Sequence, residues 1–442
     1  MTVSSSENQP KPTVRVTEYV YDTKPKYSNA VVLVHGDHQT GDVWVRKADN
    51  TPGWVTRFCD AGFRTFVIDL LYHIPDNPQQ PPGREYYGIA TNKMSKNTLQ
   101  TYMTAPRSKS HKVFWPSMGS HCMWPGTGKA GDPIFERVFA SMVPEYLDPQ
   151  ERQFNGQVTL AGILRTLEHP AILVGHGSGA TISWLAADLV PHRVAGIIAI
   201  EPTGPPFTDG WVNDGEKRIY APTFPDPLSL PLPSIRPYGL SEIPMGFVPP
   251  PLPPRDTNQL IQDSAHVGAA GTKGFQPIPF VPSIDPATKA PCYLQDELNG
   301  PVRTLPNLQN IPQCVVTGGS SFHSQFDYAT VAFLRQAGVP VSHLKLIEDF
   351  GLYGNGHLLM LEDNSTEIAD RLINWAIQNI CNPNTNPQSP DLAPPATMTP
   401  QRGRTTQALS ADSCCSTWST IQRQELCAIR PSKFGKSSFN AR

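Results

Sequence analysis

The sequence predicts an α/β protein built on a doubly wound, mostly parallel sheet. Three observations predict it. Short continuous apolar runs, such as Asn29 to His35 (N-A-V-V-L-V-H) and Val194 to Ile200 (V-A-G-I-I-A-I), have the composition of strands buried on both faces. They alternate with helical patterns, as βαβ units require. One such run, Ala171 to Val174, leads into a glycine-rich turn, Gly175-His176-Gly177-Ser178-Gly179, and then into a helical pattern from Ala180 to Val190. That order sets the turn at the carboxyl edge of the sheet, where open α/β sheets bind their ligands.

The elements follow in order. Residues 1–12 read as disordered, and Val14 to Tyr21 alternates as a half-buried strand does. After the strand at Asn29 to His35, a helix is expected from Pro52 to Ala61, with Gly62 as its stop. Arg64 to Leu70 is the next strand. Residues 71–155 interrupt the alternation with polar, Pro/Gly-rich sequence and aromatic islands at Phe114, Trp115 and Trp124. One amphipathic helix, Pro133 to Val143, is expected inside that stretch. The alternation resumes with a helix at 156–167, the strand and turn at 171–179, and the strand at 194–200, which ends on Glu201. A second excursion, about 202–310, holds roughly half of the 47 prolines and reads as irregular. Such length is uncommon in a compact domain unless it forms a lid or binding loop. Gln313 to Thr317 (strand), Tyr328 to Ala337 (helix), Leu344 to Glu348 (strand) and a loop at Gly351 to His357 come next. The final helix begins near Asn364, with Glu367 placed for a capping box, and carries Ile368, Leu372, Trp375, Ala376 and Ile380 on one face. From 382 to 442 the apolar period is lost, and the chain reads as a disordered tail. The domain organisation expected is one domain over 13–381, with cap insertions at about 71–155 and 202–310.

Composition narrows the function. The net charge of −2 gives no reason to expect nucleic acid or an anionic membrane as partner. The apolar runs are too short to cross a bilayer. The N-terminal stretch lacks the charged-then-apolar pattern of a leader, so a cytoplasmic protein is expected. The 8 cysteines have no C-x-x-C spacing and read as reduced thiols, with neither a zinc nor a redox motif. Gly126-Thr127-Gly128-Lys129 misses the phosphate-loop spacing, because Met123 and Ala130 stand where that motif needs Gly and Ser/Thr. His35 and His38 have no further clustered ligands, so no metal and no cofactor is expected.

The glycine-rich turn carries the chemistry. In a G-x-S-x-G turn a serine sits midway between two glycines that allow strand and helix backbones to approach closely. Here Gly175 and Gly179 hold the glycine positions, but the midpoint is Gly177, and the serine is one place late at Ser178. Two registers are open. With Gly177 at the midpoint, the turn offers no side-chain nucleophile and Ser178 contributes its backbone N–H. If the turn slips by one, Ser178 is the nucleophile, but His176 then occupies a place that needs a small residue. Sterics favour the first. Glu201 and His357 follow in the order acid, then histidine, and could form the carboxylate–imidazole pair of such a site. Asp327 is the competing acid. Backbone N–H donors for an oxyanion would come from Ser178 and from the turn after His35, at Gly36 and Asp37.

These residues resemble the α/β-hydrolases, and in particular the bacterial and fungal esterase 713-like branch. The strings that carry the resemblance are V-H-G-D-H-Q-T-G-D-V-W, W-P-G-T-G-K-A-G-D-P, A-I-E-P-T-G-P-P-F, R-P-Y-G-L-S-E-I-P and G-N-G-H-L-L-M-L-E-D-N-S. The resemblance implies an α/β-hydrolase fold with cap insertions, the acid at Glu201, the histidine at His357, and an apolar small-molecule substrate. The chain is also similar to fungal hydrolase-like proteins of polyketide–nonribosomal peptide clusters of the cytochalasan and fusarin type. That similarity implies closure of a pyrrolidone or pyrrolinone ring by His/Glu general-base chemistry. The competing expectations are a serine esterase or thioesterase using Ser178, and a non-catalytic ligand-binding protein on the same fold.

Overall fold

The computed structural model describes residues 15–19, 25–70, 94–106, 115–207 (save 146 and 148), 211–214, 217–220, 236–251, 278–298 (save 288 and 290) and 300–382. The expected disordered ends, residues 1–12 and nearly all of 382–442, lie outside them, as does Phe114.

Among the described residues, seven strands form the central sheet: β1 (Arg15–Tyr19), β2 (Val31–Val34), β3 (Thr65–Asp69), β4 (Ala171–His176), β5 (Val194–Ile200), β10 (Gln313–Thr317) and β11 (Ser342–Lys345). Their order is β1-β3-β2-β4-β5-β10-β11, parallel throughout except for β1, which runs antiparallel on β3. The helices are α1 (Asp42–Val45), α2 (Trp54–Ala61), α3 (Lys96–Leu99), α4 (Pro133–Ser141), α5 (Pro149–Thr166), α6 (Ser178–Leu189), α7 (Asp327–Gln336), α8 (Leu346–Phe350) and α9 (Ser365–Ala376). The doubly wound α/β fold is thus as expected.

Side-chain alternation along the strands divides the core in two. Val32 and Val34 of β2, Leu173 of β4, and Ile197 and Ala199 of β5 pack on one face with α5, α6 and α7. Val31 and Leu33, Ile172 and Val174, Ile198 and Ile200 pack on the other with α2 and α9. Both faces are dry, which is why these strands read as unbroken apolar runs. Trp54 Nε1 donates to Ser365 O at 2.9 Å and fastens α2 to α9.

Four local expectations are corrected. The helix expected at 156–167 starts earlier, at Pro149, because Glu151 and its neighbours suit a first turn even though they lack an apolar period. The strand expected over Leu344 to Glu348 ends at Lys345, and Leu346–Phe350 is a turn of helix with Asp349 Oδ2 accepting from Lys345 N–H at 2.7 Å. No capping box forms at Asn364: its side chain pairs instead with Asn355, Nδ2 to Oδ1 at 3.0 Å. Inside the proline-rich excursion the chain makes two antiparallel strand pairs, β6 (Trp211–Asp214) with β7 (Lys217–Tyr220) and β8 (Phe280–Ile284) with β9 (Pro291–Gln295). Pro282 and Pro291 lie in the second pair, at a two-stranded edge where a missing N–H is tolerated.

The chain leaves β2 toward β3 on one side and continues from β4 toward β5 on the other. The crevice at the carboxyl ends of β2 and β4 is therefore the topological switch point. Both turns of interest, 35–37 and 175–179, end there.

Candidate active site

The turn after β4 adopts the first of the two registers. Gly177 has φ 53° and ψ −122°, a conformation sparsely populated by residues with side chains, and Ser178 is the first residue of α6. The neighbouring glycines are there because nothing larger fits. A Cβ on Gly175 would lie 2.6 Å from Ala180 N and Cα, and one on Gly179 2.4 Å from His35 O. Gly177 differs: a Cβ there would meet nothing nearer than Gly36 Cα, at 3.7 Å. The midpoint of the turn has room for a Cβ.

Glu201 stands at the end of β5 with φ 43°, and its side chain is fully buried. Its Oε1 accepts from Gly318 N–H at 2.8 Å, and its Oε2 accepts from the Ser321 hydroxyl at 2.7 Å and lies 2.7 Å from His357 Nδ1. Three donors around one carboxyl hold it in place. Burial pushes the Glu201 carboxyl up to about 8, against the pull of the His323 charge and of the Ser321 and Gly318 hydrogen bonds. For His357, burial and then the positive charge of His323 hold the imidazole well below its ordinary value. It is therefore neutral. Asp327, the competing acid, bonds to His323 Nδ1 at 2.9 Å instead of to His357.

The loop carrying His357 is fastened from behind. Glu362 accepts from Gly356 N–H (2.9 Å) and Asn355 Nδ2 (2.7 Å), and pairs with His121 Nε2 at 2.8 Å, all buried. This accounts for Asn355 and Glu362 in the G-N-G-H-L-L-M-L-E string. His121 comes from the first insertion, whose Cys122 and Met123 N–H groups also bond Gly354 O. Above the base, Trp115, Met118, Phe322 and Phe326 form a separate apolar cluster, with the Phe322 ring 5.0 Å from that of His357.

On the other side, the turn after β2 is braced by charge. Arg152 of α5 bonds Asp37 Oδ1 (2.6 Å) and Glu145, while His38 Nδ1 donates to Val143 O at 3.2 Å. Burial opposes ionisation of Asp37, but the Arg152 guanidinium, with help from the Ser178 hydroxyl and Glu145, holds its carboxyl well below the usual range. Burial and the Asp37 charge push Glu145 up to about 8. Two carboxyls, one proton and one guanidinium thus tie the turn to the first insertion. His35 is structural: its Nδ1 donates to Gly36 O (2.9 Å), and its Nε2 accepts from Leu70 N–H (3.2 Å).

The expected oxyanion donors separate. Gly36 N–H is spent on Gln39 Oε1 at 3.2 Å, so Gly36 is not a donor to the site; its role is to lack a side chain where His176 Nδ1 would lie 2.8 Å from a Cβ. Ser178 N–H, as the first of α6, has no partner within the helix. Among the described residues no hydrogen bond engages Asp37 N–H. Ser178 Oγ is buried without a hydrogen bond of normal geometry.

No family model matches the chain. A fungal protein named "Probable secreted lipase" is 30% identical over 366 residues, covering 82% of this chain and 85% of that one. The chain belongs to the lipase/esterase-like α/β-hydrolase superfamily. It is a hydrolase-family enzyme. Among solved structures, a bacterial esterase is similar at 16% identity, covering 83% of this chain and 86% of that chain with a TM-score of 0.46. A monoacylglycerol lipase from Paleococcus ferrophilus is similar at 10% identity, covering 83% and 98%, with a TM-score of 0.36. The expectation of a cytoplasmic protein is overturned by the fungal relative, which is named as a secreted lipase.

Sequence reasoning missed His323, whose ring stacks on that of His357 with centroids 4.8 Å apart. The only signal was His323 and Asp327 at i and i+4 just after a strand end. Donor atoms of Glu201, His323 and His357 lie within 4.8 Å of one another. Glu201 is already engaged by three donors, and two rings only 7° from parallel do not converge on one ion. The donor set does not fit a metal.

The steric difference within the turn is testable. Gly177→Ala is expected to stay folded, at a cost of about 1–3 kcal/mol for its φ/ψ. Gly175→Ala and Gly179→Ala should each cost about 3 kcal/mol or more, because the clash is with backbone. Urea midpoints of the three variants check this. Equal losses would contradict the assigned register.

Proposed function

We propose that the protein hydrolyses an ester or thioester of a small apolar acid without a covalent serine intermediate, using His357 and Glu201 as a general base on water. The observation that carries the reading is Gly177 in the nucleophile position, a glycine where an added Cβ would meet nothing closer than an ordinary van der Waals contact. A neutral His357 with Nδ1–H on the Glu201 carboxylate has Nε2 as acceptor. It takes a proton from a water molecule as the water oxygen attacks the carbonyl carbon. The oxyanion is stabilised by Ser178 and Asp37 N–H, the C–O or C–S bond breaks, and the imidazolium returns its proton to the leaving group. Base catalysis of this kind contributes ~10²–10⁴-fold and an oxyanion donor ~10²–10³-fold. Membership of the lipase/esterase-like superfamily supports hydrolysis, and the cluster of Trp115, Met118, Phe322 and Phe326 supports an apolar substrate.

A second reading rests on the same observation. A base without a neighbouring nucleophile can take a proton from carbon next to a carbonyl, as a ring-closing step in fungal secondary metabolism requires. Hydrolysis of a simple ester separates the two, since the second reading needs none. The serine-esterase reading through Ser178 is weakened by its place on α6 and by a hydroxyl that makes no hydrogen bond to a histidine.

With p-nitrophenyl butyrate as probe, His357→Ala and Glu201→Gln are expected to lower kcat ~10²–10⁴-fold. Ser178→Ala keeps the backbone N–H and should keep kcat within about tenfold, whereas removing a true nucleophile costs about 10⁶-fold. No burst of p-nitrophenol should precede the steady state. Gly177→Ser, which fills that position, is expected to introduce one. A wild-type burst abolished by Ser178→Ala would overturn the reading.

The pH dependence has a definite sign. The Glu201 value is raised, so the carboxylate needed by the base is gained as pH rises and lost as it falls through about 8. The pH profile of kcat/KM should therefore climb with a midpoint near that value. A profile flat from about pH 6 to 9 would contradict it.

A further inference from the structure

The loop after β10 brings a second histidine–carboxylate pair against the first. His323 is buried, its Nδ1 is 2.9 Å from Asp327 Oδ1, and its ring lies 7° from parallel with that of His357. Asp327 is itself held: its Oδ2 accepts from the Thr317 hydroxyl at 2.7 Å. That hydroxyl has spent its only proton, so at 2.9 Å His343 Nε2–H donates to it. Burial lowers His343 from its ordinary value. A histidine filling core space would need neither a buried carboxylate nor face-to-face contact with another imidazole.

We propose that His323, held by Asp327, is a positioning residue for the Glu201–His357 base: its ring, stacked on that of His357, fixes the plane of that imidazole, and its charge faces both members of the pair. The inference rests on the general-base reading above.

His357 is faced by Glu201 from β5, His176 from β4, Asp37 from the turn after β2, and His323. His323 is faced by Asp327 from α7 and by Glu201, His357 and His176. Glu362, paired with His121, lies behind Gly356. Asp37 is matched by Arg152, and burial keeps His176 well below its ordinary value. Burial works against a charged His323, but Asp327 and Glu201 outweigh it and raise its value. The same charge lowers both Glu201 and His357. Removing it raises both, and each change moves the onset of activity to higher pH.

The test combines NMR titration of the histidine Cε1–H resonances of the full chain with pH profiles of kcat/KM for His323→Phe and Asp327→Asn. In the wild type, His323 (assigned by its loss in His323→Phe, or by its displacement in Asp327→Asn should the first variant fail to fold) is expected to stay charged above the ordinary histidine value of about 6.5. In either variant the acid limb of the profile should move up by about one pH unit or more. A wild-type His323 that titrates at or below about 6.5 would overturn the proposal. So would variants that lose activity equally at every pH with the limb in place. Full activity in His357→Ala would instead sink the general-base reading, whatever His323 does.

Discussion

The structure depends on how closely two strand ends approach one another. At the switch point the backbone after β4 passes so near that after β2 that Gly179 leaves no room for a methyl group against His35 O and Val34 O. Gly175 is as tightly constrained against Ala180. That contact fixes the turn, fixes Gly177 at its midpoint, and points the N terminus of α6 into the crevice. Filling the elbow by shifting one residue would bring the His176 side chain into this gap. The serine one place late therefore cannot move up, and the absence of a side chain at Gly177 is a property of the register itself.

Electrostatics then decides what the site can do. Two charged assemblies flank the midpoint of the turn. On one side Arg152 is shared by Asp37 and Glu145, which anchors the β2 turn to the first insertion. On the other, two acid–imidazole pairs, Glu201–His357 and Asp327–His323, meet ring to ring in a buried space beside Phe322 and Phe326. Burying charges is costly unless each is paired and hydrogen-bonded. Here the pairing is nearly complete, and what remains is a neutral imidazole beside a glycine at the midpoint of the turn. That arrangement suits proton transfer. It offers no side chain at the midpoint of the turn for an acyl group to rest on.

Much of this was legible in the sequence. Strands buried on both faces betray themselves as unbroken apolar runs, and β5 and β10 fell on the expected residues. Glu201 and His357 could be paired because chain order and strand ends restrict where a carboxylate and a histidine can meet. The misses also have physical causes. The strand pairs within the proline-rich excursion are edges, where proline does not forbid pairing, so proline content misled. Asn364 looked like a helix cap, but a buried Asn355 competed for its side chain and won. His323 was invisible because stacking between residues 34 apart leaves no local pattern. The Gly36 donor was lost to a glutamine three residues on, a choice only the folded turn reveals.

The central claim is that the folded site contains no reactive serine. The most direct measurement is the intact mass of the folded wild-type protein after incubation with excess fluorophosphonate, followed by peptide mapping. The account predicts an unchanged mass under conditions that fully label a Gly177→Ser variant. A stoichiometric wild-type adduct mapped to Ser178 would contradict it.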